Sequence, residues 1–197
     1  MKIISLFVVI GLAVSCKENA KQERFPAKES TSDQTNINTE PTIGDLKQNG
    51  NYNSLFSSPD CKVITAKEIS AVLGITFVDM NRNTLCSFKS EGPNGKTWYL
   101  NIVRNDMSKS DIQREIQSFK SDETGRLVLQ ISETGDTYLC NQHSNGYVSI
   151  YNPNYSGNVL ISYGSAAESR AFTKEERMEH RDFAFVLANA LLKKYQK

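Results

Sequence analysis

Three strand-forming segments separated only by tight turns constrain this fold most. Residues 137–141, 147–151 and 158–163 are rich in Tyr, Val, Ile and Leu. Asn145-Gly146 stands between the first two, and Asn152-Pro153-Asn154 with Gly157 between the second and third. Connections this short cannot carry a crossover, so the three segments must pair antiparallel as a meander. Upstream, residues 84–88 and 98–104 read as a hairpin around a turn that holds Gly92, Pro93 and Asn94-Gly95. In the second of these strands Trp98, Leu100 and Ile102 alternate with Tyr99, Asn101 and Val103. Residues 127–131 add a further short strand.

Helices punctuate the strands. Thr65 and Glu68 have the spacing of a capping box, Ile69, Val72 and Leu73 share one face, and Gly74 supplies the stop. A second helix opens on Ser110 and Gln113, with Ile112, Ile116 and Phe119 as its apolar stripe. The last starts at Thr173, capped with Glu176, and is expected to bury Phe183, Val186, Leu187, Ala190 and Leu191. It ends in Lys193, Lys194 and Lys197, which suit the negative end of the helix dipole. The order predicts an α+β two-layer sandwich, a mostly antiparallel sheet with the helices packed on one face, over a single domain at 59–197. Val148 and Ile150 are expected to enter its core with Leu160.

Ahead of the domain lie two segments of different composition. Residues 1–15 carry Lys2, then an apolar run broken by Ser5 and Gly11, then small residues leading to Cys16. The run is too short to span a bilayer and has the layout of a secretory signal. It resembles a bacterial lipoprotein signal, in which cleavage precedes a cysteine that carries the lipid. That resemblance makes Cys16 the lipidation site and the cell envelope of a gram-negative bacterium the address, with anchoring to the outer membrane. Leu12 stands one place further from the cysteine than the usual leucine. The charged residues from Lys17 to Glu23 resemble the surface-export signals of Bacteroidetes lipoproteins. Residues 16–58 are rich in Ser, Thr, Asn, Gln, Lys and Glu, and their few large apolar residues show no period. Such a segment reads as a disordered tether, with a reach of about 5–6 Å times the square root of its length.

Without Lys2 the chain has 22 basic and 22 acidic residues. That balance provides no long-range field for nucleic acid or anionic lipid, so the lipid is the expected membrane attachment and nucleic acid is not an expected partner. Neither a Gly-rich phosphate-binding loop nor a dinucleotide fingerprint is present, and no cofactor is expected.

The folded part carries a wider resemblance. Cys61 precedes the helix TAKEISAVLG, Cys86 lies in the short strand CSF, and TGDTYLC precedes two more strands and an amphipathic helix. This pattern resembles small two-cysteine lipoproteins of unknown function whose domain is similar to the PsbP-like fold. Across residues 61–195 the resemblance implies a Cys61–Cys86 disulfide and a Gly135-Asp136 pair opening the second part of the sheet. It implies no catalytic activity. Ser87 stands where that family usually has an aromatic residue.

Once Cys16 is lipidated, three cysteines remain in an oxidising compartment, and three pairings are possible. The Cys61–Cys86 pairing is favoured because it would pin the first helix to the first strand, for about 3 kcal/mol in the chain-entropy model. Cys140 is then a free thiol in a strand, read as a small packed hydrophobe. A sharper reading makes it a nucleophile with Asp136 and His143, as in a thiol-dependent hydrolase. Strand geometry opposes this, because Asp136 and Cys140 would stand roughly 13 Å apart at about 3.3 Å per residue, beyond the reach of a catalytic base. Cys140-x-x-His143 supplies two metal ligands at most. His180, beside Glu176 and Glu179, reads as part of a solvated helix face, so no closed metal site is indicated.

The better binding candidate is the meander. Tyr147, Ser149 and Tyr151 point to one side of it, and Asn154 and Tyr155 extend the group at the turn. Aromatics mixed with amides and hydroxyls suit sugar or peptide surfaces. The expectation is therefore a lipid-anchored, non-enzymatic binding or accessory domain with a protein or glycan partner. The alternatives are the Cys140–His143 hydrolase and an envelope immunity protein that binds a toxin.

Overall fold

Short β segments linked by turns leave little choice but antiparallel pairing, and the computed structural model has that form throughout. It describes residues 46–47, 50–57, 64–80, 86–91, 95–142, 145–164 and 172–196. All of these fall in one compact unit, Thr39–Lys197. In chain order the described elements are α1 (Asn53–Ser57), α2 (Ala66–Leu73), β1 (Val78–Asp79), β2 (Cys86–Glu91), β3 (Thr97–Asn105) and α3 (Lys109–Lys120). There follow β4 (Leu127–Ile131), β5 (Tyr138–Gln142), β6 (Tyr147–Tyr151), β7 (Asn158–Ser162) and α4 (Lys174–Tyr195). The strands form one sheet in the order β1-β2-β3-β7-β6-β5-β4, and every neighbouring pair is antiparallel. The class is α+β. Among the described residues no helix is long and apolar enough to cross a membrane.

Local chemistry explains most boundaries. Thr65 and Glu68 form the expected capping box on α2, and Gly74 ends it with φ 69°, a conformation that favours glycine. Thr173 and Glu176 cap α4 in the same way. The start of α3 differs from expectation. Ser108, not Ser110, is the N-cap, and its hydroxyl accepts from the Asp111 backbone N–H. The first strand of the hairpin runs to Glu91, three residues beyond its predicted end.

Pairing register decides which side chains meet. Ile150 stands opposite Leu139 and Val159, and Val148 opposite Ile161. Ile161 in turn faces Ile102 across β3. These residues and Leu100, Trp98 and Phe88 form the main core, on the side covered by Ala184, Leu187, Ala188, Leu191 and Leu192 of α4. Leu160, expected in this core, pairs with Ser149 and lies on the other side, because side chains alternate along a strand. Val72, read on the same helix face as Ile69 and Leu73, is 39% exposed, and Val186, expected to be buried, is 48% exposed. Leu187 and Leu191 of α4 are buried as expected, and with them Ala184, Phe185, Ala188, Leu192 and Tyr195, so the stripe is centred about one position beyond the expected one.

Two larger expectations need correction. Ile112 and Ile116 of α3 pack with Tyr138, Cys140 and Tyr151, which point to the sheet face opposite Leu139 and Ile150. The helices therefore do not all lie on one face. The second correction concerns the tether, expected to run to residue 58. Tyr52, Leu55 and Phe56 are at most 2% exposed and belong to the main core. Their i, i+3, i+4 spacing makes α1 a short amphipathic strap, long enough to bury three large side chains.

Candidate functional site

The side of β6 proposed for binding lies under α3 over much of its length. Tyr138 pairs with Tyr151, and Cys140 with Ser149, so these four side chains share a face. Ile112 and Ile116 cover it, and Ser149 and Tyr151 are buried. Burial drives the Tyr151 pKa up to about 12. Tyr147 is half-buried, and its hydroxyl accepts from Asn145 Nδ2 at 2.8 Å. Asn154 is exposed, but Tyr155 is half-buried and serves the strap. The five residues thus do not form one exposed surface. The apolar stripe of α3 marks a side of the helix that must be buried, but its spacing alone does not name the sheet face that it covers.

Cys140 is fully buried and is a free thiol. Burial, with a smaller contribution from the Glu115 carboxylate, holds its pKa well above the ordinary thiol value, so it stays protonated. Asp136 is not its partner. It lies in the turn before β5, and its carboxylate is occupied elsewhere. His143 and Cys61 lie outside the described residues, as do Cys16 and the signal segment. Cys86 is buried and disulfide-bonded.

Asp136 is the most connected polar group described. Its Oδ1 accepts from Thr134 Oγ1 at 2.7 Å and from Thr137 Oγ1 at 3.1 Å. The Tyr52 hydroxyl donates to it at 3.0 Å, and the Gly50 N–H at 3.1 Å. Its backbone oxygen accepts from Asn152 Nδ2. Burial alone would raise its pKa, but the donors from Thr134, Gly50, Tyr52 and Thr137 outweigh burial and hold the carboxyl below its ordinary value. Tyr155 closes the other side of the strap. Its hydroxyl accepts from the Tyr52 N–H at 2.8 Å and donates to the Gly50 carbonyl at 3.2 Å, while its ring stacks on Phe56 at 4.9 Å. Gly135, with φ 80°, lets Lys47 lie against the turn, where the Lys47 N–H donates to the Gly135 carbonyl. Gly135 and Asp136 thus anchor the strap.

His180 also differs from expectation. Its ring stacks on Trp98 at 4.2 Å with 3° between the planes, and Phe172 meets it edge-on. The Trp98 indole N–H donates to the Tyr163 carbonyl, and Glu176 pairs with Lys96. Among the described residues no three of His, Cys, Asp and Glu gather as a metal-binding group. Desolvation lowers the His180 pKa to about 4, against an opposing pull from Glu176. The unfolded chain therefore binds a proton near pH 6.5 that the folded chain refuses until about 4. Stability contributed by neutral His180 is present above pH 6.5 and is lost as pH falls through that window. The expected loss is of order 1–2 kcal/mol after solvent screening. Urea midpoints of His180→Gln should show a flatter decline across the window than the parent, and parallel declines would refute the assignment.

Compared with protein-family models, curated proteins and solved structures, the chain matches none.

Proposed function

We propose that this chain is a lipoprotein of a gram-negative envelope, anchored to the outer membrane through acyl chains on Cys16. Its α+β domain acts as a non-enzymatic binding or accessory module, with a protein or glycan as partner. The observation that carries the non-enzymatic reading is the inward commitment of the reactive side chains. Cys140 is fully buried and held protonated, and Asp136 is saturated by donors that fasten the strap. Under this reading the sheet with α1, α2 and α4 is a two-layer frame, to which α3 adds a local cover on the opposite face. The resemblance to two-cysteine lipoproteins of PsbP-like fold is part of the same proposal. The disulfide at Cys86 and the turn of Gly135 with the buried Asp136 support it.

Thiol reactivity separates this reading from the hydrolase. In the folded full chain, Cys140 is expected to resist a maleimide reagent and to react once the chain is denatured, with Cys140→Ala as the blank. Fast modification of Cys140 in the folded chain would favour a nucleophile and count against the proposal.

A further inference from the structure

We infer that the outer edge of β4 is a self-association surface, pairing antiparallel with β4 of a second copy about a two-fold axis at Gln130. The sheet ends on two very different edges. β1 has two residues, one of them Asp79, and is short enough to discourage pairing. β4 has five, LVLQI, with neither charge nor proline, and Gln130 and Ile131 are exposed.

Backbone directions follow from the hairpin. The Ser132 N–H donates to the Thr137 carbonyl, so the alternation of an antiparallel ladder turns residues 130 and 128 toward β5 and residues 127, 129 and 131 outward. The Leu127 N–H confirms the direction, since it is taken at 2.8 Å by the Asp122 carboxylate and not by β5. Beyond the strand, the Glu133 N–H is taken by Asn189 Oδ1 at 2.9 Å. Among the described residues, the outward N–H groups between these two stops belong to Leu129 and Ile131, and no strand pairs with β4 on that side.

That window is complementary to itself. Antiparallel pairing about Gln130 sets Leu129 opposite Ile131 of the other copy, twice, and each pair can exchange two N–H to carbonyl bonds without displacing Asp122 or Asn189. Residues directly opposite share a face, so both pairs are apolar. Ile131, 36% exposed in the single chain, gains a leucine neighbour. A second copy is the occupant that fits, because the same segment turned about the two-fold axis presents the same two N–H groups and their carbonyls, bounded by the same two stops. The contact is small, so the association is expected to be weak and concentration-dependent.

The axis position gives the test. Gln130 faces its own copy at a non-hydrogen-bonded position, where Cα atoms approach to about 4.5 Å, within disulfide reach. Under mild oxidation the full-length Gln130→Cys chain should yield a covalent dimer, while the parent and a Val78→Cys chain at the other edge should not. Adding Ile131→Lys, at an exposed position, should abolish the dimer while leaving the unfolding midpoint of the single chain unchanged. Equal cross-linking at residues 78 and 130, or a Gln130→Cys dimer that survives Ile131→Lys, would overturn the assignment. So would a chain that stays monomeric at all concentrations, including one that takes up a peptide at this edge.

Discussion

A chain that begins at residue 59 is expected to remain unfolded or nearly so, although sequence composition places the domain boundary there. The loss would remove Tyr52, Leu55 and Phe56, all in the main core. Each such side chain contributes about 1.5–3 kcal/mol on burial. Together they rival the ~5–15 kcal/mol that separates most folded domains from their unfolded chains. The donors that fasten the strap go as well: the Tyr52 hydroxyl and Gly50 N–H on Asp136, and the Arg104 side chain on the Phe56 carbonyl. A milder form of the same test is Leu55→Ala in the full chain, expected to cost about 2–4 kcal/mol by cavity formation. Asn53→Ala, at an exposed position of the same short helix, should cost little. Urea denaturation followed by tyrosine or tryptophan fluorescence would read both. A chain from residue 59 that unfolds cooperatively at the parent midpoint would contradict the packing of the strap.

The second large effect belongs to Asp136→Ala, expected to cost about 2–4 kcal/mol near neutral pH. Truncation leaves the buried Tyr52 hydroxyl and the part-buried Gly50 N–H without their acceptor, and a stranded buried donor costs about 1–3 kcal/mol. Asp136→Asn keeps the shape but turns one acceptor into a donor facing donors, so it should recover little. The pH dependence has a definite sign. The folded carboxyl titrates below its unfolded value, so its contribution is complete above the unfolded pKa and is lost as pH falls through the folded one. The Asp136→Ala chain should therefore lose less stability than the parent in acid below about pH 4. The His180 effect is confined to the window above that. Guanidinium or urea midpoints taken across both windows separate the two groups. A parent and an Asp136→Ala chain with the same midpoint at every pH would refute the role given to the carboxylate.

Much of this architecture is legible in the residues because its signals are local. Capping boxes at Thr65 and Thr173, the turn at Asn145-Gly146 and the alternation of Trp98, Leu100 and Ile102 each act within a few residues, and each mark stands at or near its element. What is not legible depends on contacts distant in the chain. The helical spacing of Tyr52, Leu55 and Phe56 was available, but five residues within a polar stretch do not make a stable helix alone. Their fold comes from Asp136 and Tyr155, more than 80 residues away. The covering of Tyr151 and Ser149 by α3 is of the same kind. A stripe such as Ile112, Ile116 and Phe119 says that a helix is buried on one side, but not which face of the sheet it meets. Leu160 shows how finely this turns, since one residue of register exchanges core for the opposite face. His180 reads as solvated from its polar neighbours Glu176 and Glu179, because Trp98 of β3 comes beside it only in the folded chain.

Acylation at Cys16 tests the account most directly. Expressed with its signal in a gram-negative host, the chain should mature with Cys16 as its first residue, carry acyl chains detectable by mass and by palmitate labelling, and fractionate with the outer membrane. Cys16→Ser should lose the label and leave the membrane fraction while its domain keeps the parent unfolding midpoint. A Cys16→Ser chain that still fractionates with the membrane, or a mature parent chain without lipid, would contradict the lipid-anchored reading.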